Sequence, residues 1–132
     1  MINTSSHEQH RNGFWWAALI PAAIDRVLPR FPSIDRLENI YQQTGFVGFE
    51  TAVPLAEVLQ GEQYLDPAGP LSAVWRAGDS SWSLTTEEEL AHAVETVTSR
   101  LEDGSMAAFL EEREQLLAKI GQTTFLAARK PA

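Results

Sequence analysis

The 132-residue chain contains no cysteine. That removes disulfides, thiolate metal sites and a cysteine nucleophile from consideration. No apolar run reaches membrane-spanning length, and the N-terminus lacks the basic region and continuous apolar core of a signal peptide. A cytoplasmic location is therefore the expectation. Cationic charge is scarce: 10 Lys and Arg stand against 18 Asp and Glu, a formal net charge of −8. Neutralising phosphates takes clustered Lys and Arg, so nucleic acid is not an expected partner, and anionic membrane surfaces are disfavoured for the same reason. There is no Gly-x-Ser-x-Gly elbow, and Gly45-x-x-Gly48 follows a helix instead of joining a strand to one, so it is not a phosphate cradle. No repeat, low-complexity tract or long linker divides the chain. With 44% hydrophobic and 21% charged residues, it reads as one globular domain whose partner is a small molecule or a protein.

Two strands stand out. Residues 122–130 form a β-branched and aromatic run behind Gly121, and residues 46–55 form another behind Gly45. In the first, Phe125 and Ala127 occupy one face and Leu126 and Ala128 the other. In the second, Val47, Phe49 and Val53 share a face opposite Phe46 and Ala52. Strands apolar on both faces belong in the middle of a covered α/β sheet. Two of them cannot make such a sheet alone.

About four helices are expected around this antiparallel pair. The first starts near Ser6 at a capping-box spacing and runs towards Leu28, loosened at Gly13 and Pro21. The second is capped by Ser33 and stopped by Gly45. Thr85 and Thr86, with Glu88 and Glu89, cap a third whose buried stripe is Leu90, Val94, Val97 and Leu101. Ser105 caps the last, which buries Met106, Phe109, Leu110, Leu117 and Ile120. Residues 56–78 are broken by glycine and proline, with short turns expected at 56–59 and 70–75, and residues 79–84 read as extended or loop.

Candidate site residues are few. His7 and His10 lie about one turn apart with Glu8 between them; a metal site would need a third ligand, so no metal is assigned, and either histidine is a candidate general base at a pocket mouth. Of the four tryptophans, Trp75 and Trp82 flank the irregular Gly78-Asp79 segment and are the candidate aromatic walls for a flat ligand. Asp79 can pair with a substrate amine or hydroxyl, or can simply form the turn before Ser80-Ser81. Glu87, Glu88 and Glu89 are accounted for by a helix dipole.

In the order of these segments, the chain resembles the C-terminal half of class I S-adenosylmethionine-dependent methyltransferases of the small-molecule type. Met1-Ile-Asn-Thr-Ser-Ser-His-Glu-Gln resembles the end of that family's fifth strand and the loop after it. The stretch from Phe31-Pro32-Ser33 to Gly45-Phe46 resembles the helix and glycine turn before its sixth strand. Asp79-Ser-Ser-Trp-Ser-Leu84 resembles a substrate-side segment, and Phe125-Leu-Ala-Ala-Arg-Lys130 the closing strand. The resemblance implies a partial Rossmann-like fold in which the closing strand lies between the fifth and sixth strands, antiparallel to both, with residues 1–4 as a stub on its second edge. It also implies substrate contacts from Thr4, His7, Trp75, Asp79 and Trp82, in a pocket between residues 4–9 and 78–84. The family's glycine-rich turn and acidic cofactor residue have no counterpart here, so no cofactor-binding residue is assigned and S-adenosylmethionine is expected only if a partner chain completes the site.

Three functions follow as expectations. The chain is the substrate-recognition half of a methyltransferase that needs a cofactor-binding partner; or a binding protein derived from one; or a small enzyme that uses the residual pocket without cofactor, with His7 or His10 as base. Its open sheet edge is expected to make it associate, with itself or with a cofactor half.

Overall fold

The computed structural model describes every residue except Glu57. The architecture is mixed α/β. Strands β1 (Ile2–Thr4), β2 (Val47–Ala52) and β3 (Thr124–Arg129) form one antiparallel sheet in the order β1-β3-β2. On one side of β3, Ile2 pairs with Leu126 and Thr4 with Thr124; on the other, Thr51 pairs with Leu126 and Ala52 with Phe125. The last strand in sequence is therefore central, antiparallel to both neighbours, with the three-residue β1 on its second edge. Both long strands are shorter than their sequence runs. Pro54, which has no N–H to offer a ladder, follows close behind the end of β2.

The pairing of β2 slips by one residue between Val47↔Arg129 and Glu50↔Ala127, so Gly48 and Phe49 together oppose Ala128. Gly48 has φ +65°, the left-handed conformation that glycine supplies in such bulges. The extra residue overturns the strict alternation expected for this strand. Phe46 and Phe49, assigned to opposite faces, both meet the Tyr41 ring, at centroid distances of 5.3 and 5.8 Å. Helix α3 (Ile34–Gln43), which carries Tyr41, buries no residue fully. Much of the β2 flank is open: Val47, Val53 and Ile40 are each exposed by two-fifths or more.

The single helix expected from residue 6 to 28 is instead broken. It comprises α1 (His7–Asn12), a 3-10 segment (Trp15–Leu19), α2 (Pro21–Val27) and a further 3-10 turn (Leu28–Arg30). Gly13 ends α1 where the chain presses on other backbone: a Cβ there would lie 2.6 Å from Gly121 O and 2.7 Å from Gln9 O. Pro21 opens α2 at a first-turn position, where its missing N–H costs nothing. The turn expected at 56–59 includes Glu57 and so falls partly outside the described residues. Beyond it come 3-10 segments Gly61–Leu65 and Gly69–Leu71, the short helix α4 (Ala73–Arg76) and a 3-10 segment Ser80–Leu84, where extended chain or loop was expected.

Helices α5 (Glu87–Asp103) and α6 (Met106–Ile120) follow. Thr86 and Glu89 form the capping box: Glu89 N donates to Thr86 Oγ1 at 3.1 Å and Thr86 N to Glu89 Oε2 at 2.9 Å. Ser105 stands at the start of α6, but its side chain makes no capping bond; its hydroxyl faces Arg100, and its N–H donates to Asp103 Oδ1. Leu101, assigned to the buried stripe of α5, is exposed.

The helices do not wrap the strand pair. The main core is a helical layer beside the sheet, made of Phe14, Trp15, Trp16, Ile20, Ile24, Tyr64, Trp82, Val97 and their neighbours. Trp15 is fixed within it by two hydrogen bonds, from its backbone N to Tyr64 Oη at 3.0 Å and from Nε1 to Tyr64 O at 2.7 Å. Indoles and phenyls each bury a large apolar area, so the aromatics of residues 14–16 draw the core to where they stand. Gln9 joins this layer to the sheet. It completes the α1 capping box with Ser6, donates through Nε2 to Ile120 O at 2.9 Å, and accepts from Thr124 Oγ1 at 3.0 Å.

Candidate functional site

Strand β1 ends at Thr4, and immediately beyond it the chain turns into α1 through the Ser6 cap. The turn is tied to the residues just before β3: Ser5 Oγ donates to Gln122 O at 2.6 Å and Thr123 Oγ1 to Thr4 O at 3.1 Å. A cavity of about 310 Å³ opens beside it. Thr4, Ser5 and His10 form one side, residues 78–81 the opposite side, and Phe14, Trp16, Ile24, Val27 and Phe31 an apolar floor and wall. It thus lies between the two segments that the sequence singles out as flanking a pocket.

His10 is placed on the cavity by the last turn of α1, and its ring leans on Phe31 with centroids 4.4 Å apart. Its Nε2 is buried with no hydrogen-bond partner among the described residues. Burial pushes the imidazole below its ordinary value of 6.5; Asp79 across the cavity pulls it upward, and His7 adds to the depression. The desolvation effect is the largest, so His10 is a neutral imidazole at pH 7. Asp79 caps the 3-10 segment Ser80–Leu84, its Oδ1 accepting from Ser81 N at 2.8 Å. The turn-forming role and the cavity-facing role are therefore held by the same carboxylate.

The other expected site residues are dispersed. His7 is not on the cavity: its Nε2 lies 2.8 Å from Phe31 O, and because a carbonyl only accepts, that nitrogen carries the proton. Among the described residues no group of three potential ligands gathers around the histidines. Trp75 lines a neighbouring opening of about 220 Å³ with Gln63, Tyr64 and Asp79, and donates from Nε1 to Gln63 O at 2.8 Å. Trp82 is buried at 5% exposure behind the cavity wall, with its ring 5.7 Å from that of Trp16, and borders a shallow depression on the far side of Asp79. The aromatic wall of the His10 cavity consists of Phe14, Trp16 and Phe31. The sequence reading set Phe14 and Trp16 on the apolar side of the first helix and gave Phe31 no role, and nothing in helical spacing distinguishes a residue that closes a core from one that closes a cavity. A signal did exist for Phe31: it precedes Pro32, which keeps it extended and out of any helix.

Chemically, the cavity offers a neutral imidazole able to take a proton, a carboxylate facing it, and a flat aromatic bed. No family model, curated protein or solved structure matches the chain.

Proposed function

We propose that the chain is the acceptor-binding half of a Rossmann-like, S-adenosylmethionine-dependent methyltransferase unit acting on small molecules, with its cofactor-binding half contributed from outside these 132 residues. The observation that carries this reading is the sheet order: β3 is central and antiparallel to both β1 and β2, and the His10–Asp79 cavity opens just past the C-terminal end of β1. In the resembled fold ligands sit outside the carboxyl ends of the parallel strands, and Thr4 would mark such an end. The acceptor lies flat against Phe14, Trp16 and Phe31, and its nucleophilic hydroxyl or amine donates its proton to His10, whose neutral state suits it to the task. Asp79 holds a second polar group of the acceptor or stabilises the imidazolium that forms.

The same reading supplies a reason for the open flanks. β1 pairs with only three residues of β3 and, among the described residues, has no strand on its other edge, while Ile2, Val47 and Val53 stand exposed. An unpaired edge beside apolar surface is a template for another chain. The chain therefore associates, either with a cofactor-binding protein or with a second copy about a two-fold axis. Sedimentation velocity at micromolar concentration tests this: a species heavier than 14.6 kDa is expected, and a soluble, cooperatively unfolding monomer argues against completion by a partner.

His10 also favours a second reading, acid–base chemistry in the same cavity without cofactor, since a buried neutral imidazole facing a carboxylate is sufficient for proton transfer. Activity that survives exhaustive dialysis and disappears in His10→Gln would support it.

A further inference from the structure

A separate opening of about 270 Å³ lies between α1, α2 and α6 and shares only Ile24 with the His10 cavity. We propose that it binds a small monocarboxylate through the guanidinium groups of Arg113 and Arg11.

Arg113 carries the argument. Its side chain is half-buried, and Nη2 donates to Arg11 O at 2.9 Å, fixing the guanidinium against the end of α1. Its Nε is shielded from solvent and has no hydrogen-bond partner among the described residues. The chain has 18 acidic residues, and Glu112 and Glu114 flank Arg113 on α6, yet among the described residues no carboxylate comes within 4.0 Å of it. Burial pushes this guanidinium down, with Tyr64 and Glu112 opposing. Arginine nevertheless stays charged at neutral pH. A partly desolvated cation with no carboxylate in contact among the described residues is an unfavourable arrangement that a bound anion relieves.

The rest of the opening specifies the anion. Arg11 brings a second guanidinium, held by Asp25 only at 3.4 Å, longer than a well-formed charge-assisted bond. Asn12 adds a side-chain amide, and Ala17, Ala18, Pro21 and Ile24 give a small apolar wall. A guanidinium fork matches the planar carboxylate, and the wall accommodates an aliphatic or phenyl body. Asp25 already places one negative charge at the rim, so a dianion such as phosphate is repelled more than a monoanion.

The test is an NMR titration of the full ¹⁵N-labelled chain with sodium benzoate, and separately with inorganic phosphate, at constant ionic strength, following the Arg113 Nε–Hε resonance. Saturable shifts are expected with benzoate at a Kd on the order of 1 mM. Arg113→Gln should weaken binding at least about tenfold, and Arg113→Lys less, because it keeps charge but loses the fork. Asp25→Asn should tighten benzoate binding by removing the competing carboxylate. This arm stands even if the Arg113 variants fail to fold. Absence of a saturable shift, an unchanged Kd in folded Arg113→Gln, weaker binding in Asp25→Asn, or phosphate binding more tightly than benzoate would each overturn the assignment.

Discussion

Thr124 Oγ1 donates a hydrogen bond to Gln9 Oε1 at 3.0 Å, joining residues 115 apart in the sequence. The same oxygen accepts from Ser6 N at 2.8 Å, and Gln9 Nε2 donates to Ile120 O at 2.9 Å. One buried side chain thus caps α1, closes the end of α6 and positions the start of β3, and the turn bearing the cavity is built on that junction.

Gln9→Ala removes all three bonds and leaves buried partners unsatisfied. At about 1 kcal/mol per bond, a loss of roughly 3 kcal/mol is expected. Urea unfolding should show a lower midpoint with an unchanged slope. A loss within experimental error would mean that water replaces the side chain and that the junction is not held by it.

Two glycines separate steric from conformational effects. Gly13→Ala drives a Cβ into backbone oxygens of Gly121 and Gln9, which cannot yield without moving α1 from the sheet; about 3 kcal/mol of destabilisation is expected. Gly45, at φ +84°, has nothing within 4 Å of a Cβ, so Gly45→Ala should cost only about 1 kcal/mol of left-handed strain. Thermal melts of the two variants should rank in that order.

Stability should fall on acidification in two stages. The folded His10 sits below its ordinary 6.5, so the unfolded chain takes up the proton first; the contribution is complete above pH 6.5 and is lost as pH falls below it. Glu89 is held at about 2 instead of 4.5, chiefly by its hydrogen-bonded pairing with Arg26, so its contribution is lost between those values as pH falls. His10→Gln should flatten the first stage and leave the second. An unchanged profile between pH 7 and 5 in that variant would contradict the burial of a neutral imidazole.

Trp82 and Phe31 should behave oppositely. Trp82 is core, so Trp82→Ala should cost about 3–5 kcal/mol of stability. Phe31 is 37% exposed and faces the cavity, so Phe31→Ala should leave stability nearly intact and weaken a flat ligand by about 1 kcal/mol. Chemical denaturation paired with ligand titration separates the two.

The parts of the fold set by local chemistry were legible in the sequence. The Ser6 and Thr86 capping boxes, the glycine stop after α3 and the strand character of residues 47–52 and 124–129 follow from side chains acting within a few residues. What depends on distant partners was not. The loosening at Gly13 and Pro21 was expected, but not the close packing of Gly13 on Gly121, over a hundred residues away, or the full break of the helix there. The bulge at Gly48 shifted the faces of β2 by one residue and brought Phe46 and Phe49 together on Tyr41. At the site, His10 and Asp79 were found as polar residues in suggestive places. The choice of His10 over His7, and of Phe31 and Trp16 over Trp75 and Trp82 as the wall, required knowing how the broken first helix folds back.

The proposed division of labour, acceptor bound here and cofactor bound elsewhere, is tested most directly by calorimetric titration of the purified chain with two ligands in parallel. One is S-adenosylmethionine and the other a flat hydroxylated aromatic such as 2-naphthol. The naphthol should bind saturably, with a Kd on the order of 0.1–1 mM that His10→Ala weakens, and S-adenosylmethionine should give no binding heat over the same range. S-adenosylmethionine binding with a Kd in the micromolar range, or naphthol binding indifferent to His10, would contradict it.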